Sequence, residues 1–174
     1  MAKNTGKDFE SQFKESALKS PNTYYYRIKD SGSSFNPTEG TGLRFTPSND
    51  YDCFIYRHPH LFPLELKSGK GTSFSFQKNK KESGKNIKLN QIDGLTKASL
   101  TQGIHAGFVF NFSERDRTYW MNIVDFNRFY QTTTKKSINE NDMLEFGCVL
   151  ISQELKKVKF NYDIEKMLTD IEKL

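Results

Sequence analysis

The sequence predicts one α/β domain in which a mixed β-sheet is flanked by α-helices. Three observations carry this. Phe9, Phe13 and Ala17 recur every four positions near the start, as a core-facing helix requires. Short aromatic and β-branched runs then follow, interrupted by one helix-like segment at 89–102. Finally Ile164, Met167, Leu168, Ile171 and Leu174 form an amphipathic stripe. Helix, strands, helix, strands and helix in that order describe a sheet covered by helices. The 174 residues fit a single domain, 1–174, with no internal repeat and no linker long enough to divide it.

Taken in order, Thr5 with Asp8 three residues later resembles a capping box, and Pro21 stops a first helix expected over 6–19. The run 23–28 reads as the first strand. The segment 30–50, rich in Gly, Pro and hydroxyl residues, reads as a loop or an irregular hairpin arm. Runs 51–56 and 61–67 are strand-like and bracket Arg57, His58, Pro59 and His60 as a four-residue turn. A second helix is expected over 89–102, with Ile92, Leu95 and Ser99 near one face. Strands are expected at 106–112 and 118–124, a helical turn at 125–130, and a last helix from 164.

Lys and Arg number 26 against 21 Asp and Glu, giving a formal charge of +5. With a pI near 9.1, this balance favours polyanionic partners. The two cysteines, Cys53 and Cys148, have no CxxC partner and read as buried thiols of a reducing, cytoplasmic compartment. No apolar run reaches the length of a membrane span, no signal peptide follows Met1, and no nucleotide-cofactor motif is present. His58 and His60 flank Pro59; with no Cys or third His nearby in sequence, turn chemistry is the expected reading rather than a soft-metal site.

The chemistry concentrates in the hairpin. Alternation puts Glu65 and Lys67 on one face of their strand and Leu64 and Leu66 on the other. Pairing Tyr56 with Leu61 and stepping back brings Asp52 opposite Glu65, close enough for the two carboxylates to share a cation. Opposed carboxylates repel unless a divalent ion joins them, and an all-oxygen site of this kind suits Mg²⁺, with Mn²⁺ as substitute. Lys67 would stand beside that ion and serve the attacking water or the charged transition state. An Asp, a Glu and a Lys on a hairpin are otherwise an ordinary solvated face. Here they are isolated among Phe54, Leu64 and Leu66, where charge is costly without a purpose. Pro63 suggests an edge strand or a bulge.

Asp52, twelve residues and then Glu65-Leu66-Lys67 resembles the PD-(D/E)xK nuclease motif. Gly6-Lys7-Asp8-Phe9-Glu10 resembles the G-K-x-F-E opening of RecU-type Holliday junction resolvases. Thr72-Ser73-Phe74 with Phe76-Gln77 resembles that family's T-S-F-x-L-Q, and Asn90-Gln91 its H-Q at a helix start. Ser31-Gly32-Ser33 is similar to a serine-bearing loop of the related archaeal resolvases. The matches run in order over about the first 110 residues.

The resemblance implies a restriction-endonuclease-like fold, a homodimer, and Mg²⁺-dependent cutting of four-way DNA junctions by paired nicks, in a compact variant of a kind that bacteriophages carry. It implies Glu10, Asp52, Glu65, Lys67 and Gln91 as catalytic residues, with metal held by Asp52, Glu65, the Leu66 carbonyl and Glu10. Lys7, Ser31, Ser33, Lys70 and Thr72 are expected at the DNA. Lys80, Lys81 and Lys85, in the lysine-rich stretch 78–88, read either as a solvated loop or as phosphate contacts, and are taken as the latter. The stalk that the family inserts before the first catalytic Asp is shorter here, in 35–48. Two rival readings are a restriction- or repair-type endonuclease cutting duplex DNA and a non-catalytic DNA-binding module. The three intact residues Asp52, Glu65 and Lys67 speak against the second.

Overall fold

The computed structural model describes residues 5–29 and 49–174. Ser31, Ser33 and the segment 35–48 read as a shortened stalk lie outside these residues. Helix α1 (Thr5–Lys19) buries Phe9, Phe13 and Ala17 and ends ahead of Pro21. Three antiparallel strands follow in order: β1 (Tyr24–Arg27), β2 (Cys53–Arg57) and β3 (His60–Gly69). After β4 (Ser73–Ser75), helix α2 (Leu89–Ser99) carries the chain back to β5 (Gly107–Phe112), which runs parallel to β3. A parallel neighbour demands such a crossover, because a tight turn can only reverse direction.

The chain continues through β6 (Arg117–Asn122), α3 (Ile123–Thr132), β7 (Ser137–Asn139) and α4 (Glu140–Glu145). It ends with β8 (Val149–Ile151), β9 (Gln153–Lys156), β10 (Lys159–Tyr162) and α5 (Ile164–Ile171). The main sheet has the order β1-β2-β3-β5-β6-β8, mixed through the parallel β3–β5 pair. This is the expected α/β layout, and its leading order of helix, three antiparallel strands, helix and parallel strand is the restriction-endonuclease-like arrangement. None of the helices among the described residues is long and apolar enough to cross a membrane.

A separate apolar core lies on each face of the sheet. On one, Phe62, Leu64 and Leu66 of β3 meet α1 and the Ile164, Met167, Leu168 and Ile171 stripe of α5. The stripe therefore packs as core, although Leu174 stays exposed. On the other, Phe108, Phe110 and Phe112 of β5 meet α2, α3 and the small β4–β7 pair. Both faces of β3 and β5 are thus withdrawn from water, which explains their nearly unbroken apolar runs.

Several expectations need correction. The hairpin turn has two residues rather than four, since Arg57 pairs with His60; the predicted Tyr56–Leu61 register is nevertheless correct. Pro63 lies in a central strand, not at an edge. Its missing N–H coincides with a break in the parallel pairing, between the isolated Leu61–Ile104 bridge and the ladder that starts at Leu64–Gly107. The turn at 125–130 is a full helix, because the Asn122 side chain accepts the Val124 N–H and starts α3 at Ile123, two residues before the helical turn was expected to begin. Cys148 is only partly buried.

Helix α2 docks tightly on the segment leading to Asp52: a Cβ added at Gly94 would lie 2.3 Å from the Asp50 Cβ. Asn90 reinforces the contact by donating to the Asn49 carbonyl at 3.2 Å. Gly94→Ala is therefore expected to lower stability by about 1–3 kcal/mol, the usual cost of overpacking, despite alanine's better helix propensity. Urea denaturation of the two proteins checks this; an unchanged or higher midpoint would contradict the docking.

Candidate active site

Glu65 is 3% exposed, and its burial follows from its place on a strand covered on both faces. A buried carboxylate needs partners. Its Oε1 accepts from Lys67 Nζ at 2.8 Å and from Gln91 Nε2 at 2.5 Å. Lys67 reaches it because residues two apart on a strand share a face, and its own side chain is only 14% exposed. Gln91 arrives from the first turn of α2, where its Oε1 accepts the Lys88 N–H at 3.0 Å. The amide thus ties the helix start to the carboxylate.

Asp52 precedes β2, where the ladder departs from regular pairing. Its N–H donates to the Leu64 carbonyl at 3.1 Å, and its Oδ2 accepts the Leu66 N–H at 2.8 Å. The Leu66 carbonyl points to the same side as its own N–H, as strand geometry requires, and so lies toward Asp52. Glu10 on α1 makes an ion pair with Arg27 at 2.5 Å and still acts electrostatically on both Asp52 and Glu65. The structure therefore gathers Glu10, Asp52, Glu65, Lys67 and Gln91 around one end of β3, drawn from α1, the start of β2, β3 and α2.

The electrostatics separate this cluster from a structural one. Burial raises the Asp52 pKa, against the Leu66 N–H and Lys67, which lower it. Burial likewise pushes Glu65 up to about 7; Lys67 opposes the rise, and the neighbouring Asp52 adds to it. A second buried carboxylate, Glu140, is 5% exposed yet behaves oppositely. It accepts from the Tyr119 hydroxyl at 2.5 Å, Arg117 at 2.8 Å and Arg115 at 2.6 Å, and these donors, Tyr119 first, hold it down at about 2. Glu140 is a satisfied fastening between β6 and α4. Glu65 and Asp52 remain short of positive charge, the condition that a divalent cation relieves.

Among the described residues no three Asp, Glu, His or Cys side chains form a ready-made cage for a metal. The donors on hand are two carboxylates and a carbonyl, with Glu10 engaged by Arg27. An open, all-oxygen set of that kind matches Mg²⁺, which keeps several waters.

The residues expected at DNA are more scattered. Lys7 is exposed in the first turn of α1, and Lys70 is exposed just beyond β3. Thr72 is exposed and lines a cavity of about 210 Å³ with Arg115, Asn139, Glu140 and Asn141, which no carboxylate-site residue lines. In the stretch 78–88, Lys78 is committed to structure: it sits 4.1 Å from the Tyr130 ring centroid and donates to the Tyr130 carbonyl at the end of α3. Lys80 and Lys81 are exposed and Lys85 is half-buried, with no side-chain partner among the described residues.

Two features escaped the sequence reading. Arg27 shares a strand face with the buried Tyr25 and so meets α1; that alternation was the available signal. A third histidine does approach the turn: His105 Nε2 lies 3.1 Å from His60 Nδ1 and its ring stacks on Phe62. His58 instead pairs with the Tyr56 hydroxyl, so the His-x-His pair does not converge.

The chain is 33% identical, over 182 aligned residues, to the SPbeta prophage-derived uncharacterized protein YotM of Bacillus subtilis (strain 168). The alignment covers 98% of this chain and 88% of that protein. No protein-family model matches the chain. Among solved structures it is similar to Archaeoglobus fulgidus Hjc, a Holliday junction resolvase from an archaeal hyperthermophile. That likeness has a TM-score of 0.46 and 12% identity, and covers 81% of this chain and 90% of Hjc.

Because folding raises the Glu65 pKa from 4.5 to about 7, the folded chain binds that proton more tightly than the unfolded chain. The resulting stability is fully present below about pH 4.5 and is lost as pH rises through about 7. Without divalent metal, the stability of wild type relative to Glu65→Gln is expected to fall by up to about 3 kcal/mol between pH 4.5 and 8. Mg²⁺ added at pH 8 should raise the wild-type Tm and leave the variant unmoved. Parallel pH profiles for the two proteins would refute the assignment.

Proposed function

We propose that this chain, which belongs to the family of the SPbeta prophage-derived protein YotM, is a divalent-metal-dependent endodeoxyribonuclease that resolves four-way DNA junctions. The observation that carries the nuclease reading is Glu65: a carboxylate buried at 3% exposure, gripped by Lys67 and Gln91, beside a second buried carboxylate, Asp52. A sheet interior holds such a pair only against a cost in desolvation, and Glu140 demonstrates that this fold can satisfy a buried carboxylate fully when the need is structural. The junction substrate is supported by the ordered motif resemblance to the RecU-type resolvases.

Asp52, Glu65 and the Leu66 carbonyl would hold Mg²⁺ or Mn²⁺, with Glu10 completing the acidic cluster. When bound, the cation would supply a water acidic enough to attack phosphorus and would neutralise charge on the departing 3′ oxygen. Lys67, whose ammonium already sits on Glu65, would orient that water and offset charge on the transition state, and Gln91 would fix the Glu65 carboxylate. Lys80, Lys81 and Lys85 would contact backbone phosphates beside the start of α2. Two symmetric nicks in a four-way junction call for a homodimer, working in the bacterial cytoplasm where a prophage is expressed.

A cleavage assay offering four-way junction, plain duplex and single strand, each with Mg²⁺ and with EDTA, separates a resolvase from a duplex nuclease and from a binding module. Asp52→Asn and Glu65→Gln are expected to reduce cutting by about 10³-fold or more, with DNA binding retained. Cutting at the wild-type rate by either variant would remove the assignment. Replacing Lys80, Lys81 and Lys85 together by Ala should weaken junction binding and flatten its dependence on log salt by about two to three units, near 0.9 per phosphate contact. An unchanged salt slope would make this stretch an ordinary solvated loop.

A further inference from the structure

Four aromatic side chains stand on the outer face of β1 and β2, opposite α1. Tyr24 and Tyr26 alternate with buried Tyr25, while Phe54 and Tyr56 alternate with buried Cys53 and Ile55. The register sets Tyr24 against Tyr56 and Tyr26 against Phe54, so the rings form two cross-strand rungs. Tyr26 stacks on Phe54 with centroids 5.4 Å apart and planes 29° from parallel; Tyr24 also meets Phe54, at 6.4 Å. Tyr24, Tyr26 and Tyr56 remain 58%, 42% and 41% exposed. The helices on this side, α2 and α3, join a core built on β5 and β6, to which β1 and β2 contribute nothing. A contiguous exposed aromatic patch of this kind marks an interaction surface.

Its position identifies the occupant. Phe54 pairs with Pro63, and Pro63 shares its face of β3 with Glu65, two residues further along. The patch therefore runs straight off the carboxylate site, with successive rungs about 6.6 Å apart along the strands. A second protein copy seated on it would lie across the approach to Glu65. The four positions hold no carboxylate, and the exposed Lys29 follows β1 at the end nearer Asp52. An aromatic face that is free of negative charge and flanked by a cation suits a polyanion carrying flat rings. Duplex DNA offers base edges in its grooves, whereas unpaired bases offer their faces.

Resting on the nuclease reading, we propose that Tyr24, Tyr26, Phe54 and Tyr56 form a stacking platform for unpaired nucleobases. The site would then take DNA whose strand is single or unstacked beside the phosphate to be cut. Stacking of this type tolerates any base, so the platform selects for strandedness and not for sequence.

The test measures binding of the full chain in EDTA, where no cutting occurs, to a fluorescein-labelled 20-mer of dT and to the same backbone made abasic. Wild type should prefer the base-bearing strand. Replacing Tyr24, Tyr26 and Tyr56 together by Ser should abolish that preference and weaken dT binding by about 30-fold, whereas replacing all three by Phe should keep both. Urea midpoints establish that the variants fold; should the Ser triple not fold, Tyr24→Ser alone must lower the preference. Equal affinity of wild type for the two strands, or no binding to either, overturns the proposal, as does an unchanged preference in a folded Ser variant. Sedimentation showing a dimer that the Ser triple dissolves would make the patch a subunit contact and overturn it too. The parent reading fails separately: a wild type that shows the base preference but cuts no DNA in Mg²⁺ keeps the platform and loses the nuclease.

Discussion

The energetic hinge of this protein is the burial of negative charge on a central strand that is covered on both faces. Leu64 and Leu66 commit one side of β3 to the α1–α5 core, and the aromatic row of β5 commits the neighbouring strand to the other. Glu65, between those leucines in sequence, has nowhere to go but inward. Its neighbours read as responses to that predicament. Lys67 brings a cation from the same strand, Gln91 brings an amide from a helix start, and Arg27 holds Glu10 in place across the sheet. The compensation stays incomplete for Glu65 and Asp52, whose burial still outweighs the partners they have.

The scaffold serves this arrangement by close approach. Gly94 lets α2 lie against Asp50, and Asn90 fastens the same helix to Asn49, so the helix bearing Gln91 and the segment bearing Asp52 move as one piece. Fixing two elements against each other in this way is how side chains can be held within fractions of an ångström. The cover of α2 and α3 stops short of the outer faces of β1 and β2, and there the exposed tyrosines begin.

Much of this was legible in the sequence wherever one period dominates. The four-residue recurrence of Phe9, Phe13 and Ala17 and the stripe from Ile164 to Ile171 each report a single helix face, and both are core in the structure. Alternation placed Glu65 and Lys67 together, and closing a hairpin around Arg57–His60 gave the Tyr56–Leu61 register. It went wrong at the turn, because His58 and Pro59 reverse the chain in two residues where four were counted. The short elements β4, β7, α4, β8, β9 and β10 were missed; three to six residues span too little chain to show a period. The contact of His105 with His60 depends on which elements become neighbours, information that no local pattern contains.

The two cores also differ in when the chain can complete them. The α2–α4 side draws on a continuous stretch, with its apolar residues running from Phe74 to Met143. The other side joins Phe9 and Phe13 to Met167 and Ile171, the widest sequence separation in the fold. Long-range closure of this kind comes late, so α5 joins α1 over β3 after the more local side has formed. Until α5 docks, that face of the strand carrying Glu65 has α1 alone to cover it.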